Sequence, residues 1–126
     1  MDKLVIEKTK ATPQVNFDAE SKTLKIDGQS YPENAFKFYE PIFLWIDEFF
    51  KQDGNAELIK LELSMPYINT SSSKCIMMLL EKFEEASNNG KSIVVNWYYD
   101  PENESELECA EELKEFVELE FNIIPR

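Results

Sequence analysis

Apolar residues recur along the chain at two periods, and the change from one to the other marks its elements. "TLKIDG" alternates Leu24 and Ile26 with polar neighbours, the period of a half-buried strand. Upstream, "LVIEKTKATPQVNF", residues 4 to 17, reads as another strand, with "DAESK" as the hairpin turn between the two. After "GQSYP" the period lengthens. Phe36, Tyr39, Phe43, Ile46 and Phe50 fall at steps of three or four, which predicts an aromatic-rich helix. Pro41 lies inside it and predicts a kink, or a first turn followed by a longer second part; Asp53-Gly54 predicts its end. "AELIKLELSM" supplies a third strand, "SSSKCIMMLLEKFEEASNNG" a second helix closed by Asn-Gly, and "KSIVVNWYY" a fourth strand. Its "SIVV" is continuously apolar, as in a strand covered on both faces. "DPENESELECAEELKEFVELE" follows as a third helix and "FNIIPR" as a last short strand.

The order β-β-α-β-α-β-α-β predicts an α/β fold: a mixed sheet of about four to five strands with three helices, its parallel pairs joined by right-handed crossovers. No internal repeat or linker interrupts the pattern. A chain of 126 residues buries one core, so residues 1–126 are expected to form a single domain.

Charge narrows the partners. The formal net charge is -12, and residues 100 to 120 hold ten acidic residues against one Lys. Nucleic acid and anionic membrane surfaces are therefore disfavoured, since both are bound through Lys and Arg. The acidic run reads as a solvated helix face or as a surface for a basic partner, with a dimer or scaffold contact as a further possibility. Neither a signal peptide nor a membrane-spanning run is recognisable, which leads to an expected cytoplasmic location. Cys75 and Cys109 fall in predicted helices without CxxC spacing and suit small buried side chains better than a disulfide or a metal site.

The absence of His removes the usual general base, the Ser-His-Asp and Cys-His arrangements and the commonest zinc ligand. Ser71 and Lys74 form an S-x-x-K spacing, but a serine-rich helix start explains it without acylation chemistry. Gly28, Gly54 and Gly90 lie too far apart for a phosphate-binding loop, so no cofactor or metal is expected. What remains is "SMPYINTSSSK", residues 64 to 74, where four consecutive hydroxyl residues, Thr70 to Ser73, meet a helix start. Capping accounts for one or two residues among Asn69 to Ser72. A phosphate here would bring about -1.5 to -2 charge, favourable toward the helix N-terminus and disruptive to an acidic or apolar partner surface.

The stretches "DGQSYPENAFKFYEPIFLWIDEFF" and "LELSMPYINTSSSKCIMMLLEKFEEA" resemble the SiaC family of bacterial regulatory phosphoproteins, formerly a domain of unknown function. Ser30 to Asn34 and Tyr67 to Ser72 carry the match, and the resemblance in length and element order covers almost the whole chain. The family is similar in fold to STAS domains, the anti-sigma-factor antagonists, which implies a STAS-like domain here. The resemblance also implies non-enzymatic partner switching. A cognate protein kinase phosphorylates the protein, a PP2C-type phosphatase reverses this, and the unmodified form binds a target, either a diguanylate cyclase or another regulator. It places the phosphoacceptor on Thr70, with Ser71 and Ser72 as alternatives, and makes Tyr31, Pro32, Glu33, Asn34, Tyr67, Asn69, Ser71 and Ser72 candidates for partner contacts. The aromatic helix around Phe36, Phe38, Tyr39, Phe43 and Trp45 reads either as core or as interface. The rival reading is a small-ligand-binding protein or small enzyme using a pocket beside that helix.

Overall fold

A computed structural model describes residues 1–52 and 57–126; the expected helix end at Asp53-Gly54 lies outside the described residues. Among them are β1 (Leu4–Ile6), β2 (Gln14–Asp18), β3 (Thr23–Asp27), α1 (Ala35–Lys51), β4 (Ile59–Ser64), α2 (Thr70–Asn88), β5 (Ile93–Tyr99), α3 (Glu104–Glu115) and β6 (Glu120–Pro125). The α/β class, the three helices and the mixed sheet are as the periodicity predicts. The sheet has six strands, ordered β1-β2-β3-β4-β5-β6. The additional strand comes from residues 4 to 17, which form two strands. The mostly polar residues 7 to 12 and Pro13 separate them, and Thr9 folds this segment by accepting the N–H groups of Ala11 and Thr12 on its hydroxyl.

β1, β2 and β3 pair antiparallel, and β3 to β6 pair parallel. The expected hairpin turn joins β2 to β3. Asp18 accepts the Glu20 N–H at 3.0 Å, and Lys22 closes the turn at φ +57°, the left-handed region.

Along each central strand, alternate residues point to one face. Val15, Phe17, Leu24, Ile26, Leu61, Leu63, Val95 and Trp97 are wholly buried there. Right-handed crossovers between strands that advance in one direction put α1, α2 and α3 on that same side, where their apolar stripes close a single core. The opposite face carries polar residues in register, Asn16, Lys25, Glu62, Asn96 and Asn122. Val94 is buried on this face although flanked in register by Lys60 and Glu120, which is why "SIVV" reads as uniformly apolar.

α1 begins at Asn34, whose side chain accepts the Lys37 N–H, and runs as one helix through Pro41 rather than as two parts. Pro41 and Lys37 both lie on its exposed side, so the Lys37 carbonyl that Pro41 cannot bond is open to water. Most of the aromatic excess is core. Tyr39, Phe43 and Phe49 are buried, Trp45 packs edge-on to Phe17, and Phe50 packs edge-on to Phe83 of α2. Phe36 is the exception, with half its surface in solvent. Lys82 of α2 and Asp47 of α1 tie the two helices at 2.8 Å.

α3 is anchored through Glu106, whose side chain is 1% exposed although it carries a carboxylate. Arg126 approaches it at 2.8 Å and the Asp100 N–H donates to it at 3.1 Å. A buried charge persists when paired and hydrogen-bonded in this way. The other acidic side chains of α3 lie outward or at the margin, as a solvated face requires.

Candidate functional site

The two sequence elements "SYPEN" and "YINTSS" come together at the ends of β3 and β4 from which α1 and α2 start. Beyond its last strand residue, the chain after β3 stays beside the chain after β4. The Ser30 N–H donates to the Tyr67 carbonyl at 2.8 Å, and the Asn69 N–H donates to the Ser30 carbonyl at 3.0 Å. A single parallel bridge, Ser30 with Ile68, joins them. The rings of Tyr31 and Tyr67 meet edge to face with centroids 6.0 Å apart.

The hydroxyl quartet divides as the helix turns. Asn69 is the N-cap; its side chain accepts the Ser72 N–H at 2.9 Å and its carbonyl accepts the Ser73 N–H at 2.9 Å. Capping therefore needs none of the four hydroxyls. Thr70, the first helical residue, and Ser71 are exposed, whereas Ser72 is 0% exposed. The Thr70 hydroxyl has no hydrogen-bond partner among the described residues.

Ser72 faces inward and takes part in a buried chain of hydroxyls. Ser30 Oγ donates to Ser72 Oγ at 2.8 Å, and the Tyr39 phenol lies 2.8 Å from Ser30 Oγ. Because Ser30 has one hydroxyl hydrogen and gives it to Ser72, Tyr39 must be the donor to Ser30. The chain thus links α1, the connection after β3, and the first turn of α2. Burial pushes the Tyr39 phenol well above the ordinary tyrosine range, so it stays a neutral donor.

Outside this chain a groove of about 320 Å³ runs between the starts of the two helices. Glu33, Asn34 and Phe36 line it on the α1 side, and Ser71, Lys74, Cys75 and Met78 on the α2 side. Burial raises the Cys75 thiol as well. Both shifted groups are held in their neutral forms, the opposite of the activation a nucleophile requires. Among the described residues no group of three His, Cys, Asp or Glu side chains is arranged to hold a metal ion. Nor is any described helix long and apolar enough to cross a membrane.

Of the candidates read from sequence, Glu33, Asn34 and Ser71 line the groove, while Tyr67 is exposed beside Tyr31 and, like it, is not among the lining residues. Pro32 is half-buried and lines no part of the groove. Asn34 and Asn69 serve as the caps of their helices. The inward turn of Ser72 and its meeting with Ser30 and Tyr39 were not foreseen. A signal was present: Ser72, Cys75, Leu79 and Phe83 continue one stripe at steps of three and four.

Comparison with known proteins points in one direction. Residues 6–126 match the family model described as SiaC family regulatory phosphoprotein. The chain is 37% identical over 123 residues to an uncharacterized protein of Pseudomonas aeruginosa strain UCBPP-PA14, covering 98% of this chain and 96% of that protein. Among solved structures, apo-SiaC from Pseudomonas aeruginosa superposes with a TM-score of 0.91 at 35% identity, covering 98% of this chain and 99% of that one. A similar match, TM-score 0.90 at 35% identity over 98% and 99% of the two chains, comes from the crystal structure of diguanylate cyclase SiaD in complex with its activator SiaC from the same organism.

Proposed function

The chain belongs to the SiaC family of regulatory phosphoproteins, and from that premise we propose that it is a non-enzymatic, cytoplasmic partner-switching protein whose phosphorylation state at Thr70 controls binding to a diguanylate cyclase. The unmodified form binds and activates the cyclase. A cognate kinase adds the phosphate and a PP2C-type phosphatase removes it.

The observation that carries this reading is the exposure of an unengaged Thr70 hydroxyl at the first position of α2. A kinase can reach it without opening the fold, because the capping work belongs to Asn69. Ser71 shares the exposure and is the secondary acceptor; Ser72 would have to leave a buried hydrogen-bonded chain to be modified. Ser71, the next residue, lines the groove together with half-exposed Phe36 and, further along α2, Met78, and Tyr67 is exposed three residues before Thr70. Aromatic and Met side chains exposed together suit a protein contact. A doubly ionised phosphate at the margin of such a contact must lose water when the partner docks, and that cost opposes binding.

The test has two parts. Fragment-ion mass spectrometry of protein isolated with phosphatases inhibited should place the phosphate on Thr70. Thr70→Ala should bind and activate a SiaD-type cyclase as the unmodified protein does, while Thr70→Glu should bind about tenfold more weakly or worse, a difference of about 1.4 kcal/mol. Equal binding by the Ala and Glu variants would remove the electrostatic basis of the switch.

A further inference from the structure

We propose that Lys74 is the intramolecular counterion of a phosphate on Thr70, so that modification withdraws the cation of the groove while it adds negative charge beside it. The inference rests on the reading of Thr70 as the acceptor, and deepens it by naming the residue within the chain that responds.

Thr70 and Lys74 are four residues apart in α2 and both are exposed, so they are neighbours on one helix face. Side chains on a helix lean toward its N-terminus, which directs the Lys74 stem back over the turn that Thr70 opens. One turn rises about 5.4 Å, within the length of an extended lysine side chain. Lys74 is also free to respond. Among the described residues it makes no ion pair, in contrast to Lys82 further along the same helix, which Asp47 holds at 2.8 Å.

Among the described residues Lys74 is the one cation lining the groove, and Glu33 is the one carboxylate there. In the unmodified protein the ammonium group is therefore available to an acidic side chain of a partner that also brings an apolar residue against Phe36 and Met78. Once Thr70 carries a phosphate, the ammonium is drawn to it. The groove then presents its apolar surface with Glu33 alone, and the same partner meets a like charge without compensation. Capture of Lys74 and the added charge act in the same direction.

The experiment installs phosphothreonine at position 70 by genetic encoding and follows its second ionisation by ³¹P NMR, in the otherwise native chain and in Lys74→Gln and Lys74→Arg variants. Thermal melts of the unphosphorylated variants establish that each is folded. Where position 74 keeps its positive charge, in the native chain and in Lys74→Arg alike, the midpoint should lie about 0.3 pH units below that of Lys74→Gln, the scale of an exposed helical ion pair. The gap should shrink in 1 M salt, where screening acts over about 3 Å. Superimposable titrations in all three proteins would overturn the proposal, as would a gap that salt leaves unchanged. Because the phosphate is placed at position 70 by design, that failure would leave the acceptor assignment standing, which mass spectrometry of the native protein decides separately.

Discussion

Replacing Ser30 with Ala removes the middle of the hydroxyl chain that joins α1 to α2. Ser30 Oγ takes part in two hydrogen bonds, each at 2.8 Å, in a position with 0% exposure. Each bond is worth about 1 kcal/mol net, and its loss also leaves the Tyr39 phenol and the Ser72 hydroxyl buried without this partner, at about 1–3 kcal/mol apiece. Partial relaxation lowers the sum, so Ser30→Ala should destabilise by about 2–4 kcal/mol. Tyr39→Phe and Ser72→Ala each remove one bond and should cost less, about 1–2 kcal/mol. The distinguishing expectation concerns the triple variant Ser30→Ala, Tyr39→Phe, Ser72→Ala. With every hydroxyl of the chain gone no stranded group remains, so it should be less destabilised than the sum of its parts by about 1 kcal/mol or more. Urea titration followed by tryptophan fluorescence measures this directly, since Trp97 is wholly buried and Trp45 half-buried in the native state. A Ser30→Ala variant within about 0.5 kcal/mol of the native chain, or three strictly additive losses, would refute the linked chain as described.

Other perturbations test separate parts of the molecule. Asn69→Ala should cost about 1 kcal/mol in urea titration, because the Ser72 N–H loses its acceptor, while Asn69→Asp should be close to neutral or stabilising. Arg126→Ala should cost about 3 kcal/mol by stranding the Glu106 carboxylate, and adding Glu106→Gln should recover part of that loss, a non-additivity that the same titration resolves. Burial pushes the Cys109 thiol up to about 11, with Glu112 and Glu106 adding to the rise. Alkylation of Cys109 by iodoacetamide at pH 8 should therefore be slower in the native protein than in urea. Since the folded state favours the neutral thiol, this group's contribution to stability is intact below pH 9 and is lost as pH rises toward 11, and a denaturation series across that window should fall accordingly.

How much of this was legible beforehand follows from which interactions are local. The steps of three and four through Phe36, Tyr39, Phe43, Ile46 and Phe50 located α1, and the alternation of Leu24 and Ile26 located β3, because each pattern registers one packed face. Residues 4 to 17 misled because apolar ends flank the polar stretch, and only the pairing of Ile6 with Val15 reveals that the chain has doubled back. The site itself was half legible. Asn69 and the hydroxyl run marked a helix start, but four adjacent hydroxyls look alike until the helix rotates Thr70 outward and Ser72 inward. The contact of Ser30 with Ser72 spans 42 positions, and no local pattern encodes it. Nor does local pattern separate Glu106 from the other acids of its helix; its burial depends on Arg126, twenty residues away.

The strand order of the sheet repeats the order of the chain, β1 through β6 without a skipped position. Every new strand therefore finds its neighbour already in place, and no strand must wait for a distant segment before it can pair. Loop-closure cost is divided among successive single-helix crossovers instead of being met in one closure across the whole chain, which eases folding for a sheet with this many parallel pairs. During synthesis the same property lets the sheet extend strand by strand from the N-terminal hairpin. The junction that brings Ser30 to Tyr67 and Asn69 can close once α2 begins, before β5, α3 and β6 have been made.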